Sequence, residues 1–172
     1  TEGGTYKDTL HIAVTQQSPS LDLHKNSTLI ARQMCDGTVW EKLVTLNAQS
    51  EASPELCESY AISEDGKTIN FVLRQGVLFH DGSTMTADDV VASMNRWIES
   101  FSSVNTMVGD ARFEKVADNT VQISADTSLL LLPSMIAGSG PPSSITTAEP
   151  CEIEDDNGFS VSYIATGHYQ FP

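Results

Sequence analysis

Between Thr86 and Phe101 the apolar side chains Val90, Val91, Met94, Trp97, Ile98 and Phe101 fall at i, i+1, i+4, i+7, i+8 and i+11. Only an α-helix gathers those positions onto one face, because about 3.6 residues per turn brings every third or fourth side chain back to the same side. Thr86, followed three residues later by Asp89, supplies a capping box with Asp in place of Glu, and Asp88 and Asp89 put negative charge at the positive end of the helix dipole. A helix with one apolar face needs a second layer to cover it, so the segments on either side must provide one.

Those segments read as antiparallel sheet. Tyr60 and Ile62 alternate with polar neighbours, then Ile69, Phe71 and Leu73 do the same around the turn Glu64-Asp65-Gly66-Lys67. Val77 and Phe79 lead into a second turn, His80-Asp81-Gly82. A further hairpin spans Phe113 to Ala125 around Asp118-Asn119, and a short apolar helix is expected around Leu129 to Ala137. Upstream, Leu10 to Val14 alternates like a strand, and Thr28 to about Leu43 reads as a helix weakened at Gly37 by roughly 1 kcal/mol. Ser143 to Gly158 is polar and acidic, with Glu152, Glu154, Asp155 and Asp156 read as a solvated loop, and Tyr169 and Phe171 read as a strand with no partner downstream. The fold class is α+β, a mixed α/β arrangement.

Nine Lys and Arg stand against 23 Asp and Glu, a formal charge of −14. That surplus excludes nucleic acid as a partner, since non-specific affinity for it comes from cations replacing counterions on phosphate, and it disfavours an anionic lipid surface for the same reason. The hydrophobic share of 40% suffices for a core, and 172 residues suit one domain or two small ones. The longest apolar run, Leu129 to Leu132, stops at Pro133, far short of the ~20 residues of a bilayer-crossing helix. Thr1-Glu2-Gly3-Gly4-Thr5 lacks the basic head and apolar stretch of a signal peptide, which leaves a cytosolic chain and an exported, processed one both open.

Catalytic chemistry finds little to work with. Cys35, Cys57 and Cys151 form no CxxC pair and are expected as buried thiols, with one disulfide plus one free thiol as the alternative in an exported chain. His11, His24, His80 and His168 stand singly, and His80 beside Asp81 belongs to a turn. Ser139 between glycines lacks the strand-to-helix setting of a nucleophile, and no glycine pattern cradles a phosphate. The cluster Glu152, Glu154, Asp155 and Asp156 lacks calcium-loop spacing, while Trp40, Met94 and Trp97 are expected in the core. No catalytic residue, metal or cofactor is expected, and the chain is read as a non-enzyme.

One stretch exceeds generic patterning. It runs Glu58-Ser59-Tyr60, Ser63-Glu64-Asp65-Gly66-Lys67-Thr68, Phe71-Val72-Leu73-Arg74-Gln75-Gly76-Val77-Leu78-Phe79-His80-Asp81-Gly82, then Met85-Thr86-Ala87-Asp88-Asp89-Val90-Val91. This block resembles the signature region of extracellular solute-binding proteins of the peptide/nickel ABC-transporter class, which includes dipeptide- and oligopeptide-binding proteins. Ile12-Ala13-Val14 with Pro19-Ser20-Leu21-Asp22-Leu23-His24 is similar to the family's first strand and loop, and Trp40-Glu41-Lys42-Leu43-Val44 to its Y-E-x-L-V segment. Ala165-Thr166-Gly167-His168-Tyr169-Gln170-Phe171 resembles its G-T-G-P-Y-x-F, with Ala165 for Gly and His168 for Pro. Cys57 stands where the family usually has a small apolar residue.

The resemblance implies a two-lobed receptor of the periplasmic-binding-protein type II fold, in which hairpins pack on helices and this chain forms part of lobe one. Residues 1–46 are then expected as the N-terminal segment of that lobe, 47–158 as an inserted subdomain containing the 86–101 helix, and 159–172 as the return strand, with the second lobe absent. It further implies the substrate-binding component of an ABC importer, exported to the periplasm or lipid-anchored on the outer face of the cytoplasmic membrane. Its partners would be a peptide or related small solute and the permease subunits. Regions that face the cleft in this family match Gln16, Gln17, Ser18, Asn26 and Leu29, and also Asn105 and Met107 in the expected loop Ser103 to Met107. The chain alone is expected to bind peptide weakly, and an exposed sheet edge near Tyr169 and Phe171 to favour a dimer. The alternative is a cell-surface interaction module on the same fold.

Overall fold

The computed structural model describes residues 22–25, 28–138, 140–148, 153–154, 160–162 and 165–169, with single positions 9, 11, 13, 15 and 18. The strand expected at Leu10 to Val14 lies largely outside the described residues, as do Phe171 and the carboxylates of Glu152, Asp155 and Asp156.

After helix α1 (Leu29–Cys35) a short antiparallel hairpin pairs β1 (Val44–Leu46) with β2 (Ala52–Pro54). The main sheet contains β3 (Cys57–Ile62), β4 (Thr68–Leu73), β5 (Phe113–Ala117) and β6 (Thr120–Ser124), in the antiparallel order β3-β4-β6-β5. Helix α2 (Ala87–Ser100) packs across β5 and β6, and α3 (Ser102–Val108) packs on α2. Helix α4 (Leu132–Ala137) lies on the β1-β2 hairpin, and β7 (Ile153–Glu154) pairs with β8 (Ser160–Ser162).

The period-two pattern separates the two faces of the sheet. Ile69, Phe71, Leu73, Val121 and Ile123 are buried under α2, and Phe71 stacks at a tilt between Tyr60 and Phe113, with ring centroids 5.8 and 6.0 Å away. On the opposite face the Gln122 amide donates to Asn70 Oδ1 at 2.7 Å, and the Thr68 and Ser124 hydroxyls meet at 3.0 Å. From α2, Val90, Met94, Trp97 and Ile98 are fully buried, each worth roughly 1.5–3 kcal/mol as removed apolar surface. The capping box forms in both directions between Thr86 and Asp89.

Three expectations need correction. The helix expected from Thr28 to Leu43 stops at Cys35, because Asp36 turns extended and Gly37 adopts φ +73°, a region closed to most side chains, so that its N–H reaches the Trp40 carbonyl at 3.0 Å. Trp40 and Leu43 are buried all the same, from non-helical chain. Ser103 to Met107 is helical, not a loop: Phe101 breaks α2, and Val104 and Val108, one turn apart, then give α3 its buried stripe. The helix expected from Leu129 begins at Leu132, with Pro133 in the first turn, where its missing N–H has no partner to lose. Within the polar 143–158 stretch Ser143, Ser144 and Ile145 are buried, with the Ser143 hydroxyl donating to the Ile136 carbonyl at 2.9 Å. The segment around Tyr169 has a partner upstream, its N–H donating to the Thr38 carbonyl at 3.0 Å.

Two apolar clusters result. The large one runs from Leu43 to Ile145, and the small one gathers Leu23, Ala31, Val39, Trp40 and Ala165. Among the described residues no helix is long and apolar enough to cross a membrane.

Candidate functional site

The apolar stripe of α2 leaves polar side chains along its flanks, and these tie down neighbouring segments. Asp88 pairs with Lys115 Nζ at 2.8 Å, which holds the lysine more firmly protonated than usual. Asp89 accepts from the Ala148 N–H at 2.8 Å, and Ser93 Oγ donates to the Thr146 carbonyl at 3.0 Å. Asn95 brackets Phe113, accepting its N–H at 2.8 Å and donating to its carbonyl at 3.0 Å, which docks β5. Trp97 Nε1 donates to the Pro141 carbonyl at 3.0 Å.

The remaining member of the series, Arg96, reaches the N-terminal segment. Its guanidinium grips both oxygens of Asp22, with Nη1 donating to Oδ1 at 3.2 Å and Nη2 to Oδ2. Asp22 is buried, and its Oδ1 also accepts the His24 N–H at 2.9 Å, so one carboxylate fixes both the turn and the helix. The His24 ring is buried beside it. Burial, and secondarily the Arg96 cation, lowers its pKa to about 3, so the imidazole is neutral, with Nε2 3.5 Å from Ser144 Oγ and Nδ1 without a partner among the described residues.

Lys42 makes a second tie. It is buried and places Nζ 2.9 Å from Asp36 and 3.4 Å from the Gly138 carbonyl, while its backbone N–H donates to Glu55 Oε2 at 2.8 Å. Burial raises the Glu55 pKa above the usual carboxylate value.

The 165–169 segment closes the arrangement. The Gly167 N–H donates to the Val39 carbonyl at 3.0 Å, and a Cβ on Gly167 would sit 2.4 Å from that carbonyl's carbon and oxygen and 2.6 Å from the Thr38 oxygen. Only glycine permits this approach. On the other side His80 holds the segment through its backbone and through both ring nitrogens.

These groups suit holding loops in place more than bond-making. The His24 imidazole is shut in as a neutral ring, and burial pushes the Cys57 thiol up to about 11, far from a reactive thiolate. Among the described residues no group of three or more His, Cys, Asp or Glu is arranged to hold a metal.

Of the seven residues expected at a cleft, Gln16, Gln17 and Asn26 lie outside the described residues. Ser18 is half-buried, and Leu29, at the start of α1, is 63% exposed. Asn105 and Met107 are half-buried on α3, where Met107 packs against the large cluster and lines an open depression of about 530 Å³ with Asp110, Ser124 and Thr127. Leu29 instead shares its helix with Ala31 of the small cluster, so the set divides between two packing units. Sequence reasoning passed over Asp22, Lys42 and Arg96. A signal existed for two of them: Lys42 and Arg96 are among only nine cations in a strongly acidic chain, each next to a tryptophan or a leucine that is fully buried.

Comparison with known proteins places this frame. A family model described as bacterial extracellular solute-binding proteins, family 5 Middle, matches residues 51–172. A probable peptide ABC transporter periplasmic-binding protein of Sinorhizobium fredii is 36% identical over 104 residues, which cover 60% of this chain and 20% of that protein. The dipeptide-binding protein of Escherichia coli is 34% identical over 93 residues, covering 42% of this chain and 17% of that one. Among solved structures, the PBP AgaA of A. tumefaciens R10 in complex with agropinic acid superposes with a TM-score of 0.75 at 27% identity, over 91% of this chain and 31% of its own. A dipeptide binding protein from Pseudoalteromonas in complex with Met-Leu shares the fold, with a TM-score of 0.70 at 20% identity, over 88% of this chain and 34% of its own. The chain thus spans about a fifth of the length of these curated relatives and about a third of these solved structures.

Proposed function

The chain belongs to the bacterial extracellular solute-binding proteins of family 5, and from that premise we propose that it builds part of one wall of a solute cleft in the substrate-binding component of an ABC importer. Peptides are the solute class, captured outside the membrane and passed to a permease. The observation that carries this reading is the return of 165–169 onto 38–39. It makes the two ends of the described chain one packing unit, with the sheet and α2 as a body inserted between them.

In this reading residues 1–46 and 159–172 belong to lobe one, and 47–158 form its inserted subdomain. Arg96 anchors the 22–25 turn through Asp22, beside the N-terminal residues assigned to the cleft. Gln16, Gln17, Ser18, Asn26 and Leu29 line the cleft, and Asn105 and Met107 contribute from α3. A cleft of this kind uses backbone groups to pair the ligand's backbone and water-filled room to tolerate its side chains. The protein is exported, periplasmic or lipid-anchored.

Native mass spectrometry of the protein, purified from its source without denaturation, tests the proposal. A retained mass of peptide size, displaced by added dipeptides and tripeptides, is the expected result. A spectrum free of adducts that remains so with every added peptide pool overturns it.

A further inference from the structure

We propose that His80 is a latch on the 165–169 segment that holds Ala165 fully while its imidazole is neutral and loosens its grip there when the ring takes up a second proton. Three hydrogen bonds between this one residue and the segment converge on two of its positions, Ala165 and Gly167. The His80 N–H donates to the Ala165 carbonyl at 2.9 Å, the Ala165 N–H donates to Nδ1 at 3.3 Å, and Nε2 lies 2.9 Å from the Gly167 carbonyl.

These contacts specify the tautomer. A ring nitrogen that accepts from an amide carries no hydrogen, and the nitrogen facing a carbonyl must carry one, so the latched ring is the neutral Nε2–H form. Protonation at Nδ1 sets two N–H groups against each other and removes the Ala165 bond. What then remains is the His80 backbone bond, the Nε2–H bond to the Gly167 carbonyl, and the pair on the far side, Gly167 to Val39 and Tyr169 to Thr38. Thr166, between the two ring contacts, has a buried Oγ1 without a partner among the described residues, so its side chain adds no hydrogen bond to hold the segment.

Ionisable groups on the surrounding elements are few. In the His80 turn, Asp81 is occupied by the Ser83 N–H at 2.9 Å and hydroxyl at 2.6 Å. On the latched segment His168 is exposed. The 36–42 stretch beyond it carries Asp36, Glu41 and Lys42, of which Asp36 and Lys42 are bonded to each other. The latch is a property of this chain's own contacts and stands whether or not a solute is bound.

Two-bond proton–nitrogen spectra of the 172-residue chain, with amide exchange followed in the same samples from about pH 8 to about pH 5, test the proposal. His80 is expected as the Nε2–H tautomer at the upper end. Wherever the spectra show the ring carrying its second proton, protection of the Ala165 amide should be lower by about tenfold, the loss of one hydrogen bond, while α2 amides keep theirs. His80→Gln retains one donor and one acceptor and should hold Ala165 without a pH step. His80→Phe should lose the protection at every pH, with the α2 amides reporting that the chain is folded. An Nδ1–H tautomer overturns the proposal, as does a His80 titration that leaves Ala165 protection unchanged. Should His80→Phe fail to fold, the wild-type titration and His80→Gln decide the matter.

Discussion

The sheet under α2 and the small cluster around Trp40 differ in how far along the chain their partners lie. Tyr60 meets Phe71 and Lys115 meets Val121 across hairpin turns, and the inward faces are continuous apolar surface. In the small cluster, five apolar side chains are brought together by a few polar contacts between distant residues: Asp22 with Arg96, His80 with Gly167, and Thr38 with Tyr169. The sheet therefore loses stability in proportion to buried area removed, whereas the cluster depends on a handful of atoms being in the right place.

Substitutions can break or sharpen this contrast. Phe71→Ala opens a cavity between Tyr60 and Phe113 and should cost about 3–5 kcal/mol, read as a lower urea midpoint for the whole chain. Gly167→Ala forces a methyl into the Thr38 and Val39 carbonyls and should cost on the order of 3 kcal/mol, with exchange protection lost at Gly167 and Tyr169 and kept in β4. If Gly167→Ala lowers protection in β4 as much as Phe71→Ala does, the two regions are one cooperative unit and the contrast fails.

A smaller effect depends on pH. The folded His24 pKa of about 3 lies below its ordinary value near 6.5, so unfolding takes up a proton between the two. Stability from this residue is complete above about pH 6.5 and falls as the pH drops toward 3, by up to about 1.4 kcal/mol per unit. Denaturation of His24→Gln between about pH 6.5 and pH 5, above most carboxylate titrations, should show a flatter profile than the wild type. The mildest change is Thr86→Ala, which removes the acceptor for the Asp89 N–H and should cost about 1 kcal/mol in the same urea assay.

Legibility followed the same division. The α2 stripe, its cap and both hairpins of the main sheet could be read directly, because each rests on a period or a turn contained within a short window. The ends of α1 and α3 could not. Trp40 and Leu43 continue an apparent helical pattern across Gly37, yet the chain buries them after it has left the helix. Ser102 to Val108 has too few apolar residues to announce a helix until α2 is in place to receive Val104 and Val108. Nothing local in Asp22 or Arg96 marks them as partners, since an ion pair across 74 positions leaves no periodic trace. Neither does a glycine reveal from sequence which carbonyl presses against it.

The approach of Gly167 to Val39 also bears on the order of folding. Loop closure grows more costly with the length closed, and the bonds from Thr38 and Val39 to this segment close almost the whole chain, whereas each hairpin closes a few residues. On that ground the sheet and α2 are expected to assemble first, and the seating of the 165–169 segment between the 36–40 turn and His80 is expected last. Until then the Thr38 and Val39 carbonyls stand ready for any extended strand that offers a residue without a side chain at the right position.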